Sequence, residues 1–121
     1  DRLRQHLADR PQATSVRDAG LADRLRQLID SSVPTGLSLV DAAARLGHSP
    51  AYLVRAFTGE YGLPPHRYLT GRRVDLARRL LLDGRPPAAV ATEAGFYDQS
   101  HLTRHFSRML GTTPTRYARH R

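Results

Sequence analysis

Residues 98–105 read Asp98-Gln99-Ser100-His101-Leu102-Thr103-Arg104-His105 and gather a carboxylate, an amide, a hydroxyl, two imidazoles and a guanidinium. Asp98, Ser100 and His101 are the side-chain types of nucleophilic catalysis. Here they fall on one exposed helix face, with no pocket implied to shield a reaction from water. His101 and His105 are one helical turn apart and could bind a metal, but third and fourth ligands are lacking. Gln99 and Arg104 point to different chemistry: a side-chain amide pairs with adenine, and a guanidinium fork clamps the two acceptors of guanine. The other residue types narrow the field in that direction. Cysteine is absent, which removes thiol nucleophiles, disulfides and cysteine-ligated zinc. Only two glutamates occur, Glu60 and Glu93, and there is no glycine-rich phosphate loop. The sequence therefore predicts neither an enzyme nor a protein that needs a cofactor or metal.

The chain has 121 residues, 19 of them basic and 11 acidic, for a net charge of +8. Every basic residue is arginine, a usage that suggests a GC-rich bacterial genome. The surplus starts after Gly36: residues 1–37 carry +1, residues 38–85 carry +4 and residues 86–121 carry +3. Such a surplus on a chain of this size favours a polyanionic partner, with nucleic acid the first candidate. With 40% hydrophobic residues the chain can bury a core and is not a disordered basic tail. No apolar run approaches the roughly 20 residues that span a bilayer. The start, Asp1-Arg2-Leu3-Arg4-Gln5, does not resemble a signal peptide. No membrane partner is expected, and the expected location is cytoplasmic. The chain lacks an initiator methionine, which fits a piece cut from a longer protein.

Helices must hold these side chains. No segment alternates apolar and polar residues and β-branched runs are missing, so the apolar spacing predicts an all-α chain. A first helix is expected at about Leu21–Ser31, with Leu21, Leu25, Leu28 and Ile29 on one stripe, broken by Val33-Pro34-Thr35-Gly36. Ser38-Leu39-Val40-Asp41 matches a capping box and opens a helix that ends at Gly47. Ser49-Pro50 is an N-cap with proline at the first helical position, for a helix to about Glu60. Pro64-Pro65 opens a long helix to about Asp83, and Pro86-Pro87 a short one to about Ala94. Asp98 caps the next, which ends near Gly111, and Pro114 starts a short final helix. Arg2–Arg10 could form a helix, with Pro11–Ser15 a linker.

The chain repeats itself. At an offset of 49, Leu53, Arg55, Phe57, Gly62, Pro65, Arg67 and Tyr68 match Leu102, Arg104, Phe106, Gly111, Pro114, Arg116 and Tyr117. Upstream the offset is 48, pairing Ala43 with Ala91 and Gly47 with Gly95, so the second turn has one extra residue within Phe96-Tyr97. Each copy is a short helix, a glycine-containing turn and a capped second helix, the helix-turn-helix layout. The helix between the copies, about Pro65 to Leu82, spans about 27 Å at 1.5 Å per residue. One turn of B-DNA is about 34 Å, so the two second helices can serve successive major grooves.

Side chains near the start of a recognition helix read bases. In the second copy these are Gln99, Ser100, His101 and Arg104, with Leu102 and Phe106 in the core. In the first copy they are Ala51, Val54 and Arg55, with Leu53 and Phe57 in the core. Ala51 and Val54 can touch only a thymine methyl, whereas Arg55 can read guanine. Arg55 and Arg104, being repeated, could instead share a structural role against an acid or the backbone. The expected phosphate contacts are Tyr52, Thr103, Arg108, Thr115 and Arg116. Arg72, Arg73, Arg78 and Arg79 on the long helix read as a solvated or salt-bridged face.

Leu53-x-Arg55-x-Phe57, Gly62, Pro65, Tyr68-Leu69, Arg73, Ala77 and Leu80-Leu81, followed by Gly95-Phe96-x-Asp98-x-Ser100-x-Leu102-x-Arg104-x-Phe106, Gly111, Pro114 and Tyr117, resemble the AraC/XylS transcriptional regulators over residues 20–120. The resemblance implies a DNA-binding domain of seven helices, with two homeodomain-like helix-turn-helix subdomains joined by a long connecting helix. On that layout residues 1–20 are a leader or linker from a missing N-terminal regulatory domain. Residues 21–63 are the first subdomain, 64–83 the connecting helix and 84–121 the second subdomain. The resemblance also implies base contacts at Gln99, Ser100, His101 and Arg104, an effector bound by the missing domain, and a contact with RNA polymerase that nothing in the sequence locates. Ala42-Ala43-Ala44 and the Ser49-Pro50-Ala51 start depart from the family's usual larger and more polar residues. The function expected is sequence-specific binding of double-stranded DNA and regulation of transcription. The rival is a sequence-neutral architectural DNA-binding protein, which would explain the charge and the apolar Ala51/Val54 face but not two capped, evenly spaced recognition helices.

Overall fold

The computed structural model describes residues 15–119, and these form seven helices and no strands. They are α1 (Val16–Asp30), α2 (Leu39–Leu46), α3 (Pro50–Tyr61), α4 (Pro65–Leu82), α5 (Pro87–Glu93), α6 (Gln99–Leu110) and α7 (Pro114–Arg119). The expected helix at Arg2–Arg10 lies outside the described residues, as does most of the expected linker after it. No helix among the described residues is long and apolar enough to cross a membrane.

Local signals set most helix starts. The hydroxyls of Ser38 and Ser49 accept the backbone N–H of Asp41 and Tyr52 at 3.3 and 3.1 Å, and the Asp98 carboxylate accepts that of His101 at 2.8 Å. Each satisfies a donor that the first helical turn leaves unpaired. α1 differs from the sequence expectation. It begins at Val16, five residues before Leu21, with the Ser15 hydroxyl accepting Asp18 N–H at 3.1 Å.

The described chain divides into two compact units. One comprises residues 15–31 and 37–68. Its core is Leu21, Ala22, Leu25 and Ile29 of α1, Ala42 and Ala43 of α2, and Leu53, Ala56 and Phe57 of α3. Deleting the Phe57 ring from such a core typically costs about 3–5 kcal/mol. A polar network edges it. The Arg26 guanidinium donates to Asp23, Asp30 and the Tyr61 hydroxyl at 2.7, 3.3 and 3.2 Å, and the Tyr68 hydroxyl donates to Asp30 at 2.7 Å.

The other unit comprises Ser32–Gly36 and residues 69–119. Val74, Ala77 and Leu81 of α4, Val90 and Ala91 of α5, Ala94 and Phe96 of the turn, and Leu102 and Phe106 of α6 form its core. Leu76, Leu80, Tyr117 and Ala118 pack around them. Three arginines of α4 gather on one carboxylate: Arg78, Arg72 and Arg79 approach Asp75 to 2.9, 3.8 and 4.0 Å. Arg73 behaves differently. Its Nε donates to the Val33 carbonyl at 2.9 Å, and desolvation lowers its pKa below the usual arginine value. Its guanidinium lies so close to Gly36 and Gly95 that a Cβ on either would meet it at under 3 Å. Arg73 thus holds the segment Ser32–Gly36 and the turn ahead of α6 within one unit.

Candidate nucleic-acid interface

In the second unit the turn from α5 to α6 is built residue by residue. Gly95 adopts φ +94°, a left-handed conformation that a side chain would resist, and a Cβ there would lie 2.4 Å from the Pro34 carbonyl oxygen. Phe96 N–H then donates to the Ala91 carbonyl at 2.8 Å, and the Phe96 ring is buried. Tyr97 N–H donates to His101 Nδ1 at 3.1 Å, and Asp98 caps α6. With Nδ1 accepting, the neutral His101 ring carries its proton on Nε2, which lies 3.1 Å from His105 Nε2. Both imidazoles also pack on Phe96, with ring centroids at 5.4 and 6.1 Å. Both nitrogens of His101 are therefore engaged within the fold, and only its carbon edge is left to meet a ligand. The same geometry opposes a metal between the two histidines. A metal on His101 Nε2 would move the proton to Nδ1, where it would face the Tyr97 N–H.

α6 sorts its side chains by helical period. Leu102 and Phe106 are fully buried, Gln99, Ser100, Arg104 and Arg108 are exposed, and Thr103 is half-buried. Tyr97, Asp98, Ser100, His101 and Arg104 line an open concavity of about 330 Å³. Among the described residues Arg104 has no ion-pair partner, so its guanidinium stands in solvent with its donors unused. On α7 the Thr113 hydroxyl accepts Arg116 N–H at 3.2 Å, and Thr115 and Arg116 are exposed.

The first unit presents a less polar face. Ala51 and Arg55 are exposed, Val54 and Tyr52 half-buried, and Leu53 and Phe57 are in the core. The Tyr52 ring stacks on His48 at 4.9 Å, the Arg55 guanidinium sits 5.8 Å from the Tyr52 ring centre, and the Tyr52 hydroxyl donates to Asp18 at 2.5 Å. That bond, with desolvation and the Asp18 charge, raises the Tyr52 pKa above its ordinary value. It also occupies the single hydroxyl proton, so Tyr52 has no donor for a phosphate while the bond lasts.

Two residues outside the expected set bear on these faces, one in each unit. Asp18 orients Tyr52 from α1, and nothing local in the sequence pairs them. Tyr97 stands 88% exposed beside Arg104 and Ser100. Its signal was the one-residue lengthening of the second turn.

The arrangement matches known proteins. A family model described as a helix-turn-helix domain matches residues 42–120. The chain is 32% identical over 123 residues to an AraC-like transcription regulator of Streptomyces antibioticus, covering 98% of this chain and 41% of that protein. The C-terminal domain of AraT, a response regulator from Geobacillus stearothermophilus, superposes with a TM-score of 0.78 at 31% identity, over 84% of this chain and 85% of that one. The DNA-binding domain of AdpA, described as a global transcriptional factor and solved in complex with a target DNA, gives 0.73 at 29% identity, over 83% and 90%. The chain spans about two fifths of the length of the curated relatives it matches.

Proposed function

The chain belongs to the AraC/XylS family of helix-turn-helix DNA-binding domains, and from that premise we propose that it binds specific double-stranded DNA and regulates transcription. In this reading α3 and α6 enter successive major grooves. The observation that carries it is α6: capped by Asp98, it buries Leu102 and Phe106 and turns Gln99, Ser100 and an unpaired Arg104 outward. Gln99 and Ser100 read base edges by hydrogen bonds, Arg104 clamps guanine, and His101 offers its carbon edge to a thymine methyl. In α3, Ala51 and Val54 supply apolar contact and Arg55 is the polar reader. Thr103, Arg108, Thr115 and Arg116 hold phosphates and set the register without reading sequence. Tyr52 joins them only by giving up Asp18. Effector sensing and contact with RNA polymerase belong, in this proposal, to a longer cytoplasmic protein of which the chain is a part.

Selection from random duplexes, followed by affinity measurements on the winner and a scrambled site over a salt series, tests the reading. A selected site that keeps its advantage at every salt concentration supports it. Equal affinity for both duplexes overturns it and favours the sequence-neutral architectural alternative.

A further inference from the structure

Tyr97 differs from the other tyrosines of the chain. Tyr52 donates to Asp18, Tyr61 to Asp23 and Tyr68 to Asp30, while Tyr117 is hydrogen-bonded to Arg78. The Tyr97 phenol has no partner among the described residues, and the side chain is 88% exposed. Its backbone is nevertheless fixed on both sides. Phe96 before it is buried, Asp98 after it caps α6, and its own N–H is held by His101 Nδ1 at 3.1 Å. The phenol therefore projects from an anchored point into solvent. It does so at the rim of the concavity that also holds Ser100 and Arg104. It also lies in Phe96-Tyr97, where the second turn is one residue longer than the first. An aromatic body left in water with an unused hydroxyl is the amphipathic kind of side chain that surfaces keep for a polar partner.

We propose that Tyr97 is a DNA-contacting residue: its hydroxyl donates to a backbone phosphate bordering the groove that α6 enters, and its ring packs on the adjoining deoxyribose. The proposal rests on the DNA-binding reading above. Tyrosine is among the neutral side chains that donate to phosphate oxygens. Phosphate suits the position better than a base edge does. Tyr97 precedes the N-cap, so it meets the wall of the groove, whereas the first turn of the helix meets the floor. Arg104 in the same concavity supplies the positive charge that offsets Asp98 there.

The test compares wild type with Tyr97→Phe on the selected and the scrambled duplex across a salt series. Tyr97→Phe is expected to weaken both about tenfold, the size of one hydrogen bond to a charged group. The slope of log affinity against log salt stays unchanged, because a neutral donor releases no counterion. A methylphosphonate scan should show a single phosphate whose replacement weakens wild type more than the variant. An exposed side chain does not support the core, so thermal melting of the variant should match wild type, and Tyr97→Ala, which also removes the ring, should lose more than Tyr97→Phe on both duplexes. Tyr97→Phe binding within roughly twofold of wild type on both duplexes overturns the proposal. A loss confined to one base position overturns it too, because that is the mark of a base reader. If wild type itself binds no duplex, the DNA-binding reading falls and takes this proposal with it.

Discussion

Arg104 and Arg116 carry the same charge but stand in different settings, and they should fail differently when removed. Arg104 projects from the first turns of α6 among Ser100, His101 and Tyr97, whereas Arg116 lies on α7, beyond α6. Arg104→Ala should relax base preference at one position by about 1–3 kcal/mol, and Arg104→Lys should not restore it, since an ammonium lacks the planar fork. Arg116→Ala should weaken selected and scrambled duplexes alike and make the salt slope shallower by about 1. Selection profiles and salt series on both variants check this, and identical behaviour would refute the division between reading and holding. Asp75 makes a further prediction. The hydrogen bond from Arg78 holds its carboxyl below the ordinary value, helped by the charges of Arg78, Arg79 and Arg72 and opposed by partial burial. A folded-state pKa below the unfolded one gives stability that is present above about pH 4 and lost as pH falls through the lowered value. Melting temperatures from neutral to acid pH should therefore fall more steeply for wild type than for Asp75→Asn. Parallel curves would show that Asp75 contributes nothing. Asp23, lowered chiefly by the Arg26 hydrogen bond, adds a similar acid sensitivity to the first unit, so Asp75→Asn should flatten the curve only in part.

At the scale of elements, the turn before α6 is the most constrained. Gly95 and Gly111 both sit at positive φ, +94° and +72°, but only Gly95 is crowded. Gly111→Ala should cost about 1–2 kcal/mol, the left-handed backbone penalty alone. Gly95→Ala adds contacts of 2.4 Å to the Pro34 carbonyl oxygen and 2.7 Å to Arg73 Nε, so its loss should be clearly larger and should shift α6. Chemical denaturation of the two variants ranks them, and equal losses would mean that the turn yields easily. The helix starts at Leu39, Pro50 and Gln99 were legible because each cap is a local signal, complete within a few residues. The start of α1 was not. Val16 is 93% exposed and Gly20 disfavours helix, so no apolar stripe extends before Leu21; the bond from Tyr52 to Asp18 ties that turn in from 34 residues away. The outward set Gln99, Ser100 and Arg104 and the inward pair Leu102 and Phe106 followed from helical period alone. The engagement of His101, Tyr52 and Arg73 did not, because it depends on which partners the fold delivers. Spacing alone could not separate Arg73, whose carbonyl partner is 40 residues away, from the three arginines on Asp75.

For the whole molecule, the +8 charge sets how binding responds to salt. Arg108 and Arg116 alone predict a slope of about −2 in log affinity against log salt, and participation of Arg55 and Arg104 at phosphates would steepen it to about −4. A titration on a scrambled duplex measures this term by itself, and a slope well beyond −4 would mean that arginines other than these four join the contact. The second unit has another property with a consequence in time. It includes Ser32–Gly36, a segment made well before the rest of that unit. On a translating ribosome the first unit has all its residues once Tyr68 is clear of the exit tunnel. Val33 waits for Arg73, and Pro34 waits for Gly95, which at 5–20 residues per second emerges roughly 3–12 s after Pro34 does. Through that interval the early segment is a tether with no receptor. The setting of α6 is therefore completed only late in synthesis, and a nascent chain halted before Gly95 would present α3 without α6.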